Sequence, residues 1–193
     1  MPPKAKFSRD EIIEAAFGLV RAEGPTALTS RALGQALGSS ARPIFTVFRN
    51  MEEVAQAVTD AAKSLYRKYI KKGLSTSPAF KGAGTQYILF AVSEPKLFQL
   101  LFMTEHRQIP NLAGVLPLID DSYEQILSSI QTDYHLEEGP ARRLYQHLWI
   151  YTHGIAALCA TNMCRFTEEE ISGMMTEVCR SLLTTMKAGN DHD

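Results

Sequence analysis

An all-α protein of about nine helices is the fold class this chain predicts, and three observations carry the prediction. Apolar residues recur at spacings of three and four along most of the 193 residues. No run of alternating apolar and polar residues stands between turn signals, and no hairpin dipeptide occurs. Proline and glycine fall mainly at the edges of the periodic segments, where helices start and stop.

The first helix begins at Ser8 or Arg9 and carries Ile12, Ala16, Leu19 and Val20 as an apolar stripe until Gly24-Pro25 ends it. Residues 29–54 then read as a helix-turn-helix followed by a third helical pattern. Ala32, Leu33, Ala36 and Leu37 form a short helix that Thr29 or Ser30 can cap, and Gly38 closes it. Ser39 or Ser40 opens a second short helix through Ile44, Phe45 and Phe48. Pro43 is tolerated there: with Ser40 as cap it falls in the first turn, where its missing N–H has no acceptor in the helix. The expected core of this three-helix unit is Ile12, Ala16, Leu19, Leu28, Leu33, Leu37, Ile44 and Phe48, too small to stand without a brace.

Asn50, with Glu52 and Glu53 behind it, starts that brace, a linking helix over about residues 51–72 with Val54, Val58, Ala61, Leu65 and Tyr69 on one stripe. Residues 73–78 break the pattern. Pro78 starts a helix through about Ser93, and Pro95 another through Met103. Pro110, Gly114 and Pro117 make residues 105–116 a loop or broken helix, and helical spacing returns over 118–131, with a further break at 132–135. Two long helices finish the chain, one from about 137 to 162 and one after Thr167, where Glu170 is placed for a capping box. The expected domains are residues 1–50, the helix-turn-helix unit, and 51–193, the helical remainder.

A net charge of −1 hides an asymmetry. Residues 1–72 hold 12 Lys+Arg against 7 Asp+Glu, and residues 73–193 hold 8 against 14. A basic first part points to a polyanionic partner, because phosphate contacts supply most nucleic-acid affinity. Apolar runs such as 87–92 fall far short of the roughly 20 residues of a membrane span, and no apolar stretch follows the lysines of the N-terminus. A cytoplasmic protein with no membrane partner is expected. Cys159, Cys164 and Cys179 match neither a zinc pair nor a CxxC motif and read as buried free thiols. His147 and His153, six apart, lie on different helix faces and make no metal pair. No HExxH, Gly-rich phosphate loop or nucleophile elbow is present, so no metal, cofactor or catalysis is expected.

Over its first 50 or so residues the chain resembles the TetR family of bacterial transcriptional regulators: a helix ending in Gly24, then LTSRALGQALG, then SSARPIFTVF, then a capped acidic helix start. Trp149, His153 and Gly154 form a WxxxHG pattern in the penultimate helix that is similar to one in a subgroup of TetR-type C-terminal domains. The resemblance implies a homeodomain-like DNA-binding unit, a helical ligand and dimerisation domain, and repression relieved by a small effector. By position it places residues 39–45, Ser40 and Pro43 among them, at the start of the recognition helix, with Arg42 facing the major groove. Ser30 and Arg31 would reach phosphates or a guanine edge, and Thr46 and Arg49 the backbone. Phe45 and Val47 stand where the family usually has tyrosine and histidine, and Met51 where a lysine often opens the next helix. Lys4, Lys6, Arg42 and Arg49 are the compensating cations.

The aromatic and sulfur side chains of the second half suit a packed core or a ligand pocket alike. The resemblance favours a pocket, with Phe90, Phe102, Met103, Tyr123, Trp149 and His153 as effector-binding candidates. Trp149 and His153, four apart, share a helix face, and Gly154 is expected to permit close helix packing. The last two helices, with Met174, Met175 and Met186 as adaptable contacts, are expected to form a two-fold four-helix bundle. The expectation is a homodimeric repressor on a double-stranded DNA operator with half-sites about 34–36 Å apart or a multiple of that. The alternative is a helical binding protein that has lost DNA recognition.

Overall fold

A computed structural model describes residues 6–105 and 111–190, the side chains of positions 113, 118, 119 and 187–190 excepted. The described residues form nine α-helices and no strand: α1 (Arg9–Glu23), α2 (Ser30–Ala36), α3 (Met51–Leu74), α4 (Ala79–Ser93), α5 (Pro95–Phe102), α6 (Leu112–Ile119), α7 (Tyr123–Tyr134), α8 (Glu138–Ala160) and α9 (Glu168–Asn190). Two compact units divide them, Met1–Leu65 with Glu94–Thr104, and Tyr66–Ser93 with Glu105–Asp193. The chain passes between units within α3 and at the two ends of α5; residue 50, the expected boundary, falls inside the first unit.

In the first unit Ser8 opens α1 with both halves of a capping box. Its Oγ accepts the Glu11 N–H at 3.2 Å, and Glu11 Oε2 accepts the Ser8 N–H at 2.7 Å. Ile12, Ala16 and Val20 are buried at i, i+4 spacing, and Gly24 ends the helix with its N–H still donating to Val20 O. Thr29, not Ser30, caps α2, accepting the Ala32 N–H at 3.1 Å. Of the expected core, Ile12, Ala16, Leu33, Ile44 and Phe48 are buried, whereas Leu19, Leu28 and Leu37 are half-buried. Val20 and Val54 join them, and so do Leu97 and Phe98 of α5, which packs on α1. At that contact the buried Glu94 carboxylate accepts Arg21 Nε at 2.6 Å and Arg21 Nη2 on its other oxygen.

The stripe of α3 departs from expectation after Val58. Burial continues at Ala62, Tyr66 and Ile70, one residue beyond the half-buried Ala61, Leu65 and Tyr69. Each i+4 step overshoots a full turn by about 40°, so the buried stripe winds round the helix instead of keeping to one side.

In the second unit α4 packs along α8 and α7, and α9 lies against α8. The end of α3 meets the start of α4 backbone to backbone. A Cβ on Gly73 would stand 2.5 Å from Gly82 O, and one on Gly82 would stand 2.2 Å from Gly73 O, so neither position admits a side chain. Asp133 of α7 accepts the Phe80 N–H at 2.8 Å, filling one of the orphan amides at the start of α4.

Three sequence expectations change here. The described part of the segment read as a loop or broken helix contains α6, which Asn111 caps by accepting the Gly114 N–H at 2.9 Å; Pro117 inside it removes a single donor. Helix 118–131 is instead interrupted at Asp120, whose extended backbone and bond to the Ser122 N–H (2.8 Å) start α7 at Tyr123. α7 then runs through the expected break to a left-handed cap at His135. The capping box of α9 forms as expected, with Thr167 N–H on Glu170 Oε2 at 2.8 Å and Glu170 N–H on Thr167 Oγ1 at 3.2 Å. Among the described residues no helix is long and apolar enough to cross a membrane.

Candidate functional site

The basic face of the first unit is shaped by Gly34. A Cβ there would lie 3.0 Å from Ala41 N and from Ser40 C, so the turn over 39–41 rests directly on α2. Gly38 makes the reversal at φ 61°, and the Ser39 N–H donates to Gly34 O at 2.8 Å. In place of the expected second α-helix the chain forms a single 3-10 turn, Ile44–Thr46, with Ile44 and Phe48 as buried anchors. Pro43 brings no N–H, and the Thr46 hydroxyl joins the Thr46 N–H on Pro43 O, at 2.6 and 3.2 Å, holding the tighter i to i−3 pattern. Asn50 then caps α3 by accepting the Glu53 N–H at 2.9 Å, which leaves no length for a longer helix.

Arg31, Ser40, Arg42, Thr46 and Arg49 are exposed around this turn, Ser30 and Pro43 half-buried. Phe45 is 46% exposed, while Val47 and Met51 are half-buried. Lys6 Nζ donates to Ser39 Oγ at 3.0 Å; Lys4 lies outside the described residues. The cations are not equivalent. Arg49 Nε stands 3.5 Å from Glu53, whose carboxylate also accepts the Arg49 N–H and Arg9 Nη1, each at 2.9 Å. The Arg49 backbone bond first, then Arg9, hold the Glu53 carboxyl below its ordinary pKa. Arg31 and Arg42 make no ion pair among the described residues.

The second unit holds a cavity of about 530 Å³, open to solvent on one side, between α3, α4, α7, α8 and α9. Six aromatic residues contribute to its wall: Tyr66, Phe80, Tyr87, Tyr134, Tyr145 and Trp149. One carboxylate, Asp120, reaches it from the turn before α7, 7% exposed, with Tyr66 OH donating to Oδ2 at 2.7 Å and the Ser122 N–H donating to Oδ1 at 2.8 Å. Burial pushes the Asp120 carboxyl above its ordinary range, against hydrogen bonds from Tyr66 and from the backbone and side chain of Ser122. Burial first, then the Asp120 charge, push the phenols of Tyr66, Tyr87 and Tyr145 well above theirs, so all three stay protonated. Tyr87 OH lies 2.9 Å from His153 Nδ1, and burial lowers the His153 pKa, favouring the neutral ring; the tautomer sets which of the two donates. His153 also stacks on Trp149, centroids 5.1 Å apart at 25°.

No family model, curated protein or solved structure matches this chain.

Of the six effector-binding candidates, Trp149 lines the cavity, and His153 stands behind it through Tyr87. Phe90 is fully buried between Tyr66 and Tyr69, and Tyr123 stacks on Tyr145 while its hydroxyl accepts from Arg142; neither lines the cavity. Phe102 and Met103 belong to the first unit, where Phe102 packs on Phe98 and Met103 is exposed. Gly154 is exposed, and a Cβ there meets nothing within 4 Å, so it serves no packing within the described chain. The cysteines are free but not buried as expected: Cys164 is exposed, and Cys159 and Cys179 are half-buried. Sequence reasoning missed Asp120, Tyr66 and Tyr145. The one available signal was an acid closing the apolar LPLI run ahead of α7. Among the described residues no cluster of His, Cys, Asp and Glu is disposed to hold a metal ion.

Proposed function

We propose that the chain is a TetR-type transcriptional regulator: a homodimer that binds a double-stranded DNA operator through the first unit and releases it when a small effector occupies the cavity of the second. One observation carries the DNA reading. Arg31 and Arg42 are exposed, without ion-pair partners among the described residues, on either side of a turn whose apolar anchors, Ile44 and Phe48, are fully buried. Rigid anchoring below and uncommitted guanidinium groups above suit a surface that meets phosphates and base edges. Dimerisation is supported by α8, where Ile150 (50% exposed) and Leu158 (36%) share an outward stripe with Gly154. An effector acts in this reading only by binding one state of the dimer a few kcal/mol better than the other.

The test is a gel-shift titration against the DNA upstream of the protein's own coding sequence. Wild-type protein should give a saturable, sequence-dependent shift that weakens steeply with salt. Arg42→Ala should lose about 1–3 kcal/mol of operator affinity; unchanged affinity overturns the assignment of the turn.

A second reading has its own observation. The single 3-10 turn Ile44–Thr46 and the exposed Phe45 stand where an α-helix with phosphate-binding side chains is expected. They favour a helical dimer that binds a small molecule or protein and has lost specific DNA recognition. Absence of any saturable shift, with ligand binding retained, selects it.

A further inference from the structure

We infer that the cavity of the second unit takes an organic cation with a hydrophobic body, an amine or quaternary ammonium, and that Asp120 is its counter-ion. The inference rests on the proposed role of this cavity as a ligand site and adds the ligand's class.

Hydrogen-bond donors in the cavity wall are mostly committed. Tyr66 OH donates to Asp120, Tyr87 OH is paired with His153 Nδ1, and the Thr152 hydroxyl donates to Leu148 O at 2.6 Å. Acceptor capacity remains. Asp120 has four lone-pair positions; the Tyr66 hydroxyl, the Ser122 N–H and the Ser122 side chain take three of them, and one remains. Its charge has no cationic partner among the described residues, although it is nine-tenths buried. A buried ion without a counter-charge is costly, and a cationic ligand removes that cost.

The surrounding π faces favour the same ligand. Tyr66 and Tyr87 meet edge to face with centroids 6.1 Å apart, and Tyr145 is close enough to Asp120 to feel its charge. Aromatic side chains beside a carboxylate attract cations wherever a ring face meets the ligand. Tyr145 OH makes no hydrogen bond among the described residues and can orient a polar substituent. Lys81 and Arg180 also border the cavity, but both are exposed, so water screens them. An anion would find these two solvated cations and the neutral Tyr145 hydroxyl, beside the repelling Asp120 charge.

A series on one phenylbutyl body tests the inference: phenylbutyltrimethylammonium, phenylbutanol and phenylbutyrate, titrated against the full chain and followed by fluorescence of Trp149, the one tryptophan, which lines the cavity. The cation should bind about tenfold or more tighter than the alcohol, with the anion weakest. Asp120→Asn should abolish the preference for the cation and leave alcohol binding in place. If that variant fails to fold, the comparison of cation and alcohol on the wild-type chain still decides. Equal or tighter binding of alcohol or anion overturns the inference, and so does an unchanged preference in Asp120→Asn. The regulator reading fails separately: Asp120-dependent cation binding to a protein that gives no DNA shift sustains the ligand class and removes the transcriptional role.

Discussion

Arg21→Ala withdraws two N–H donors from a Glu94 carboxylate that keeps 4% of its surface in water. A hydrogen bond to a charged group contributes about 1.5–3 kcal/mol, and stranding a fully buried ion costs about 3–5 kcal/mol. The upper figures do not apply, because the Arg21 side chain is itself 54% exposed. Water entering the vacated space solvates one side of Glu94, and the expected loss falls to about 2 kcal/mol. Glu94→Gln keeps the shape and one acceptor but loses the charge, for about 1 kcal/mol. In a double-mutant cycle the pair should then show a coupling of at least about 1 kcal/mol, at or above the top of the range for exposed ion pairs.

Urea unfolding followed by far-UV circular dichroism supplies the four free energies of that cycle. Trp149 lies in the second unit, so its fluorescence, recorded in parallel, distinguishes a loss confined to the first unit from a global one. Arg21→Lys is a further control, since an ammonium keeps the charge and cannot make the forked contact; it should recover less than half of the loss. Coupling below about 0.3 kcal/mol, or full recovery by lysine, would refute the reasoning that this pair fastens α5 to α1.

Gly34→Ala places a methyl 3.0 Å from two backbone atoms that cannot yield, and should cost about 1–3 kcal/mol in chemical denaturation; a neutral outcome would mean that the 39–41 turn is not seated on α2. Burial holds His153 below its ordinary value of 6.5, so its contribution to stability is fully present above 6.5 and is lost as pH falls through the lowered folded value. The stability difference between wild type and His153→Gln should therefore shrink from about pH 7.5 to about pH 5, and a flat difference argues against a ring held neutral by burial. Ile150→Glu with Leu158→Glu sets charges on the outward stripe of α8 and should convert the proposed dimer to monomer in sedimentation without loss of helicity; a wild-type monomer would remove the dimer from the reading.

What could be read from the sequence was local. The Ser8–Glu11 and Thr167–Glu170 boxes join residues three apart, and Pro95 and Gly24 act on their own backbone, so spacing and residue type suffice. The contacts that define the units join distant residues: Arg21 to Glu94 across 73 positions, Tyr66 to Asp120 across 54, Tyr87 to His153 across 66. No local pattern encodes such a pairing. The same distinction divides the cavity. Trp149 and His153 announce themselves by an i, i+4 spacing, whereas Asp120 is one of two adjacent acids, and its role depends on helices distant in sequence converging on it. α6 was missed for a different reason: Gly114 and Pro117 weigh against helix in any propensity sum, and the Asn111 cap with its apolar neighbours outweighs them.

The DNA reading and its rival meet at Phe45. A phenyl ring donates no hydrogen bond, so it cannot replace the phosphate contact that a tyrosine would make there, and its 46% exposure shows that the core does not require it. If the turn meets DNA, Phe45 must therefore act by apolar contact with a base edge, such as a thymine methyl, beside Arg42. Phosphate contact then falls to Arg31, Lys6 and Arg49, and Arg49 must first be drawn from Glu53, the carboxylate that the Asn50 cap and Arg9 hold in place. A polyanion has to compete with that carboxylate, whereas an apolar partner protein does not. The two readings consequently predict different responses to Glu53→Gln: operator affinity rises when the competing charge is removed, and an apolar interface centred on Phe45 is indifferent to it.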